Sequence, residues 1–440
     1  MEECRKEDKS MSPAASRQED DQLSIPSFRL ASQLPVDPGP RFAKSFSLKE
    51  PTFSDFPEDF IPGRLSNPSL HAPLSSPLHP LLTTPKIIPT ASDVLYRCVS
   101  SLLRRDGQVL SMTVSGGLLY TGSEGNVIHA WKLPEFVEWD RLRTRANGAV
   151  SLAAANDSVY AAYADGRIRA WRRTWEHGTL RHVRLAGIGS GIGGYVRSYI
   201  SGKDRTAKHG GLITSLAINS TDDILYSASA DRTVKVWRLP DFKCIETFLA
   251  HSEPINNMLV ADNGVVFTAS DDATVRAWRR NLHGGDRPHI LTVTLPTKNS
   301  PVKALTLTPD GEVLYGGCTD GYIHYWFKGW FTGQLQYGGS LQGNTHAILC
   351  MESVENYVVS GSADSTSRIW ARDPQDGQRH TCLAILVGHR GPVRCVASYT
   401  GQSGDDAEED GCTICTGSLD GVLKLWKVTS AKPNGWETFW

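Results

Sequence analysis

From about residue 109 onward the chain alternates between short apolar runs and polar turns, and the runs keep one order. A stretch rich in Tyr, Val and Leu ends in small residues, as in Leu225-Tyr226-Ser227-Ala228-Ser229. A turn carrying Asp follows, then an alternating segment that ends in Trp, as in Thr233-Val234-Lys235-Val236-Trp237. Period two sends Thr233, Lys235 and Trp237 to one face and the valines to the other, which is the pattern of a pleated strand. Each unit therefore predicts a β-hairpin.

The unit occurs seven times, ending at Trp131, Trp171, Trp237, Trp278, Trp326, Trp370 and Trp426. Six positions before the Trp stands Asp165, Asp231, Asp272, Asp320, Asp364 or Asp420, with Gly125 in the first copy. Asp suits this turn because its side chain bonds nearby backbone N–H groups. A closed ring of such units needs its last sheet completed by a strand from the other end of the repeat region, which removes an exposed edge. Residues 94–103, ahead of a first-blade strand expected at 109–114, have the apolar character for that role.

The copies resemble WD repeats, whose signature is Gly-His before the first strand, Asp in the turn and a terminal Trp. Gly388-His389 matches in full, while Ala250-His251, Lys208-His209 and Thr345-His346 match at the His. The resemblance implies an all-β, seven-bladed β-propeller of WD-repeat type over residues 93–440, with four strands per blade. It also implies buried tetrads of His, Ser or Thr, Asp and Trp. Carried over by residue, these are His209, Ser227, Asp231 and Trp237; His251, Thr268, Asp272 and Trp278; and His389, Thr416, Asp420 and Trp426. The first, second and fifth copies lack the His, so looser outer loops are expected there. None of the marker tryptophans is followed by Asp, which argues against a ubiquitin-ligase substrate-receptor role.

A narrower likeness, carried by Tyr96-Arg97-Cys98-Val99-Ser100-Ser101-Leu102-Leu103 and by Gly193-Gly194-Tyr195-Val196-Arg197-Ser198-Tyr199-Ile200, is to the plant WD-repeat proteins called Jingubang. It implies a regulatory scaffold in plant development that acts through a transcriptional partner.

Composition divides the 440 residues in two. Fourteen of the 24 prolines precede residue 93, and all 12 tryptophans follow it. Residues 1–92 are expected to be a disordered Pro/Ser-rich tail, with Ser45, Ser47 and Ser76-Pro77 as candidate phosphorylation sites. The formal charge of -1 gives no global attraction to nucleic acid or to an anionic membrane. The nine scattered cysteines read as reduced thiols, and no run is long and apolar enough to span a bilayer. A cytoplasmic or nuclear monomer is the expectation.

Tryptophan spacings of 66 and 56 residues mark two enlarged intervals among values of 40–48. The first contains Gly189-Ser190-Gly191-Ile192-Gly193-Gly194, which satisfies GxGxxG, but a strand-like rather than helical segment follows it. The second contains five carboxylates within residues 405–410, read as a solvated loop because the run lacks the Gly turn of a calcium loop. Cys412-Thr413-Ile414-Cys415 enters a repeat strand, so its cysteines read as packing residues. No catalytic motif, metal site or cofactor site is expected.

Between Arg141 and Arg184 nine arginines face only three acids, a net of +6. Guanidinium forks bind carboxylate and phosphate at two points, so Arg141, Arg143, Arg145, Arg172 and Arg173 are candidate contacts for an acidic or phosphorylated partner. The turn-flanking residues Glu124, Asp271, Thr319 and Leu419 vary in chemistry as a recognition rim would. The expected function is a non-catalytic protein-interaction scaffold. The alternative is a propeller that binds nucleic acid or a small ligand through its Arg-rich second blade or central channel.

Overall fold

The computed structural model describes residues 94–430, apart from 105, 147, 177–178, 186–207, 240, 282–287, 330–333, 374–378 and 401–410. The 1–92 tail, the glycine-rich GxGxxG run and the acidic 405–410 run lie outside the described residues.

The described residues form 28 strands arranged as seven four-stranded antiparallel sheets. Strand β1 (Val94–Leu103) precedes the first blade. Blade one comprises β2 (Val109–Ser115), β3 (Leu118–Ser123), β4 (Val127–Lys132) and β5 (Val137–Arg143). Blade two comprises β6 (Ala149–Ala155), β7 (Ser158–Tyr163), β8 (Ile168–Glu176) and β9 (Thr179–Arg184). Blade three comprises β10 (Ile213–Asn219), β11 (Ile224–Ser229), β12 (Thr233–Arg238) and β13 (Lys243–Leu249). Blade four comprises β14 (Ile255–Val260), β15 (Val266–Ser270), β16 (Thr274–Arg280) and β17 (His289–Pro296). Blade five comprises β18 (Val302–Leu307), β19 (Val313–Cys318), β20 (Tyr322–Lys328) and β21 (Leu335–Gln342). Blade six comprises β22 (Ile348–Val354), β23 (Tyr357–Ser362), β24 (Ser367–Arg372) and β25 (His380–Leu386). Blade seven comprises β26 (Val393–Thr400), β27 (Gly411–Ser418), β28 (Val422–Ser430) and, as its outer strand, β1.

The first strands form the inner ring: β2, β6, β10, β14, β18, β22 and β26 each pack beside the next, and β26 returns to β2. The ring is sealed by β1, which pairs with β28 from Val94↔Ser430 to Leu103↔Val422. This is the closing strand that the apolar 94–103 segment led us to expect.

One hydrophobic cluster fills each space between neighbouring blades, so the core is seven slabs rather than one centre. Each marker Trp packs backward against the preceding blade, as Trp237 does in one cluster with Tyr160 and Ile168, and Trp278 in another with Tyr226 and Val236. Close approach of the blades explains the small residues that end each second strand. A Cβ on Gly317 would stand 2.4 Å from the Ile348 side chain of the next blade, so no larger residue fits there.

The inner strands share a further irregularity. Each carries a bulge at its second residue, namely Leu110, Val150, Thr214, Asn256, Lys303, Leu349 and Arg394. A bulge raises local twist and re-aims one side chain, and seven in equivalent places make a structural ring of their own.

Candidate interaction rim

The turn after each second strand is fixed by a recurring backbone bond. The N–H groups of Glu124, Ala164, Ala230, Asp271, Thr319, Ala363 and Leu419 donate to carbonyls of Gln108, Gly148, Leu212, Pro254, Pro301, Ala347 and Pro392, at 2.9–3.2 Å. Each acceptor lies in the segment entering its own blade, so seven equivalent turns are pinned on one face of the ring. Three of these positions carry alanine, and the other four carry Glu124, Asp271, Thr319 and Leu419 on the same backbone arrangement. Glu124 also accepts a hydrogen bond from the Gln108 N–H at 3.2 Å, and Thr319 meets the Ser300 hydroxyl at 3.2 Å. Asp271 accepts from Lys303 Nζ at 2.6 Å and from Asn256 Nδ2 at 2.8 Å, which links blades four and five across two bulge positions. Leu419 contributes an apolar, partly exposed side chain.

Beneath this rim lie the tetrads. In blade three His209 contacts Asp231 at 3.0 Å and the Ser227 hydroxyl at 2.7 Å, and Trp237 Nε1 donates to that hydroxyl at 2.9 Å. Blade four repeats the set with His251 to Asp272 at 2.9 Å, His251 to Thr268 at 2.7 Å and Trp278 to Thr268 at 3.0 Å. Burial holds the His251 imidazole below its ordinary range against the pull of Asp272. Burial would push the Asp272 carboxyl up, but hydrogen bonds from Thr274 and His251 outweigh it and hold the group down.

Blade seven is looser. His389 reaches Thr416 at 2.8 Å and Trp426 reaches Thr416 at 2.9 Å, but His389 Nδ1 stands 3.6 Å from Asp420 and has no hydrogen-bond partner. Asp420 instead accepts the Arg390 backbone N–H at 2.7 Å.

Blade six corrects one sequence match. The His346 ring meets the neighbouring Thr345 hydroxyl, at 2.9 Å, and stays outside the tetrad. Its place is taken by Asn344, which accepts from the Ser360 hydroxyl at 3.1 Å and reaches Asp364 at 3.4 Å, while Trp370 donates to Ser360 at 3.1 Å. The amide carries a donor and an acceptor as neutral imidazole does, so the hydrogen-bonding logic survives the exchange. The signal was present in Gly343-Asn344, the Gly-His position with Asn substituted.

The arginines do not gather in one patch. Strand β5 climbs toward the rim while β8 descends from it, so Arg143 and Arg145 end near the rim and Arg172 and Arg173 end at the opposite face. Arg141 Nε donates to Glu138 at 2.9 Å, and Arg173 Nε donates to Asp157 at 2.9 Å. Arg143, Arg145 and Arg172 are exposed. Cys412 and Cys415 are buried on β27, where burial pushes their thiols up to about 11 and about 12, the state of packing residues.

Sequence reasoning missed a second recurring device at the outer edges. The Tyr120 hydroxyl meets His182 Nε2 at 3.0 Å, Tyr226 meets His289 at 3.2 Å and Tyr315 meets His380 at 2.7 Å. Each pair joins a second strand to the outer strand of the following blade, at the interfaces one–two, three–four and five–six. An acid backs the first two: Asp140 on His182 at 2.8 Å and Glu246 on His289 at 2.5 Å. At the third, Tyr325 packs against His380 with ring centroids 4.5 Å apart. Among the described residues no group of three or more His, Cys, Asp or Glu is placed to hold a metal ion. No helix there is long and apolar enough to cross a membrane.

A ring of seven four-stranded blades, tied by His, Ser or Thr, Asp and Trp, defines a repeat-built β-propeller. The chain belongs to the WD-repeat family of β-propellers. The family described as WD domain, G-beta repeat matches residues 201–238, 242–279, 290–326, 336–371 and 380–427. These matches begin at the blade that holds the first full tetrad.

Similar proteins from Arabidopsis thaliana include the DENN domain and WD repeat-containing protein SCD1, 26% identical over 220 residues, 49% of this chain and 17% of that protein. Protein ROOT INITIATION DEFECTIVE 3 is 29% identical over 231 residues, 47% of this chain and 50% of its own length. Pre-mRNA-processing factor 19 homolog 2 is 24% identical over 217 residues, 49% of this chain and 38% of its own. The similarity thus spans half or less of each relative.

Proposed function

We propose that this protein is a non-catalytic, monomeric scaffold that holds protein partners on the rim formed by its seven turns. The observation that carries the reading is the rim itself: Glu124, Asp271, Thr319 and Leu419 occupy equivalent, rigidly bonded positions with unlike chemistry. A fixed backbone presenting varied side chains is how a propeller discriminates between protein surfaces without chemistry of its own. Arg143 and Arg145, exposed where β5 meets the rim, add cationic contacts suited to an acidic or phosphorylated segment.

The narrower likeness to Jingubang proteins and the Arabidopsis relatives support a plant regulatory role, with a transcription factor as the class of partner. A relative described as a pre-mRNA-processing factor supports a nuclear as well as a cytoplasmic setting. The test is affinity purification from plant tissue with the wild-type chain, with residues 93–440, and with Asp271→Arg/Leu419→Asp. Partners recovered by the first two and lost with the rim variant support the reading; recovery unaffected by the rim variant overturns it.

A further inference from the structure

Four blades carry a tyrosine at the third residue of the second strand: Tyr120, Tyr160, Tyr226 and Tyr315. The histidines that meet Tyr120, Tyr226 and Tyr315 stand opposite Arg173, Arg280 and Arg372 in the strand ladder, each two residues after a marker Trp. Each of these arginines also faces an acid: Arg173 pairs with Asp157, Arg280 lies 3.9 Å from Asp222, and Arg372 lies 2.9 Å from Asp310. Tyr160 has no such cover. Blade three carries Leu239 and Phe242 where the other blades carry the Arg and the His, and both pack into the core between blades two and three. What meets the Tyr160 phenol among the described residues is the Ser158 side chain of its own strand.

A cleft of about 370 Å³ opens at this point, between blades two and three. One wall stands on paired strands. Ser158 lies opposite Arg172 in the ladder and Tyr160 follows two residues along β7, so the three side chains share one face of blade two. Tyr160 clusters with Leu225 and Trp237, which sets that face toward blade three. The other wall carries Ile218, Asp223 and Leu239, and the Leu239 N–H donates to the Asp223 carbonyl at 2.8 Å.

Arg172 and Asp223 are the charged residues of this lining, one on each wall. Neither side chain makes a hydrogen bond or ion pair among the described residues, although both charges act on the Tyr160 phenol. The neighbouring acids Asp157 and Asp222 are already engaged by Arg173 and Arg280. Ile218 and Leu239 add apolar surface beside the two free charges. The volume falls in the range of small-molecule sites, and a guanidinium and a carboxylate on facing walls offer a separate contact to each end of a zwitterion.

We propose that the cleft between blades two and three binds a free α-amino acid with an apolar side chain. Arg172 takes the carboxylate, the Tyr160 hydroxyl donates to it, Asp223 accepts from the ammonium group, and Ile218 and Leu239 cover the side chain. The site goes beyond the scaffold reading and does not depend on it. Its occupant supplies a link between two blades whose tyrosine has no histidine to meet, so binding also stabilises the ring by mass action.

The test is titration calorimetry of the purified full chain with free leucine, methionine and phenylalanine. Leucine methyl ester and N-acetylleucine, which each lack one of the two charges, are titrated beside them. At least one of the three amino acids should bind, and blocking either charge should weaken binding about ten-fold or more. Arg172→Ala and Asp223→Asn should each lower the affinity by a similar factor. Both residues are exposed, and melting curves of the unliganded variants check that the fold is intact. Leu419→Asp at the rim should leave amino-acid binding unchanged, so this proposal and the rim reading fail separately. No binding by any of the three, binding indifferent to either cleft variant, or a blocked analogue that binds as well as leucine overturns the proposal.

Discussion

The hydroxyl of Tyr226 in the third blade lies 3.2 Å from Nε2 of His289 in the fourth, and the other ring nitrogen faces Glu246. The His289 backbone N–H donates to the same carboxylate at 3.2 Å. A neutral imidazole satisfies both neighbours when Nδ1–H donates to Glu246 and Nε2 accepts the Tyr226 O–H. Both members of the acid–imidazole pair are buried, so removing one partner strands the other away from water. Tyr226→Phe, which keeps the ring and loses the donor, should cost about 1–2 kcal/mol in urea unfolding. Glu246→Ala should cost about 3 kcal/mol or more.

The tetrads should not be equal. His251 has both ring nitrogens engaged, whereas His389 has one unpartnered. His251→Ala should destabilise by about 2–4 kcal/mol and His389→Ala by roughly half as much, because only one hydrogen bond is lost in blade seven. Equal costs in parallel denaturation curves would contradict the difference in geometry.

Asn344 and His346 form a paired test within two residues. Asn344→Ala removes the acceptor of the Ser360 hydroxyl and one contact to Asp364, and should cost about 1–3 kcal/mol. His346→Ala should change stability by less than about 0.5 kcal/mol, since its bond is local and exposed. Thermal melts of the two variants would separate the assignments.

Stability should respond to pH in two opposed ways. On the inner strand β22, burial pushes the Glu352 carboxyl up to about 7 from its ordinary 4.5, partly offset by a hydrogen bond from Ser398 at 3.2 Å. A folded-state value above the unfolded one makes a contribution present below about 4.5 and lost as pH rises through about 7. Glu352→Gln should therefore stabilise by about 1–3 kcal/mol near pH 8, reduced by the water that reaches the side chain, and by almost nothing near pH 4. His251 and His389 act in the other direction. Burial holds both below their ordinary 6.5, so their contribution is present above 6.5 and lost as pH falls through the depressed values. Melting temperatures of wild type and Glu352→Gln across this range would show both signs; a pH-independent difference would refute the first.

Reversing Arg141, Arg143 and Arg145 to Glu should leave the ring folded, because the lost Arg141–Glu138 pair is a solvent-screened surface contact. The same variant should lose partner recovery in a pull-down. Undiminished recovery would remove this edge of blade one from the interface.

Much of the ring was legible because its constraints are local. Trp to Ser or Thr is a fixed ten-residue step across one hairpin, seen at Trp131–Thr121, Trp237–Ser227 and Trp426–Thr416. Turn acids such as Asp231 cap their own following residues, here Thr233. The closing strand was legible too, since an apolar segment ahead of the first hairpin has one sheet left to join. What the chain concealed were relationships between blades. His182, His289 and His380 stand in outer strands, 62–65 residues from their tyrosines, and among the described residues three of the seven interfaces use them. The separation of Arg145 from Arg172 depends on opposite strand directions, which a charge count along the sequence cannot register.

The pairing of β1 with β28 also imposes an order on synthesis. The strand that seals the last blade leaves the ribosome before any of the seven blades, and its partner leaves after all of them have been started. Throughout that interval the backbone of Val94–Leu103, and the Leu102 side chain that packs into the core between blades seven and one, must wait without a sheet. The seventh blade is therefore a lock that turns only at the end. Any event that delays the final strand leaves an unpaired edge of the kind that recruits chaperones or neighbouring chains.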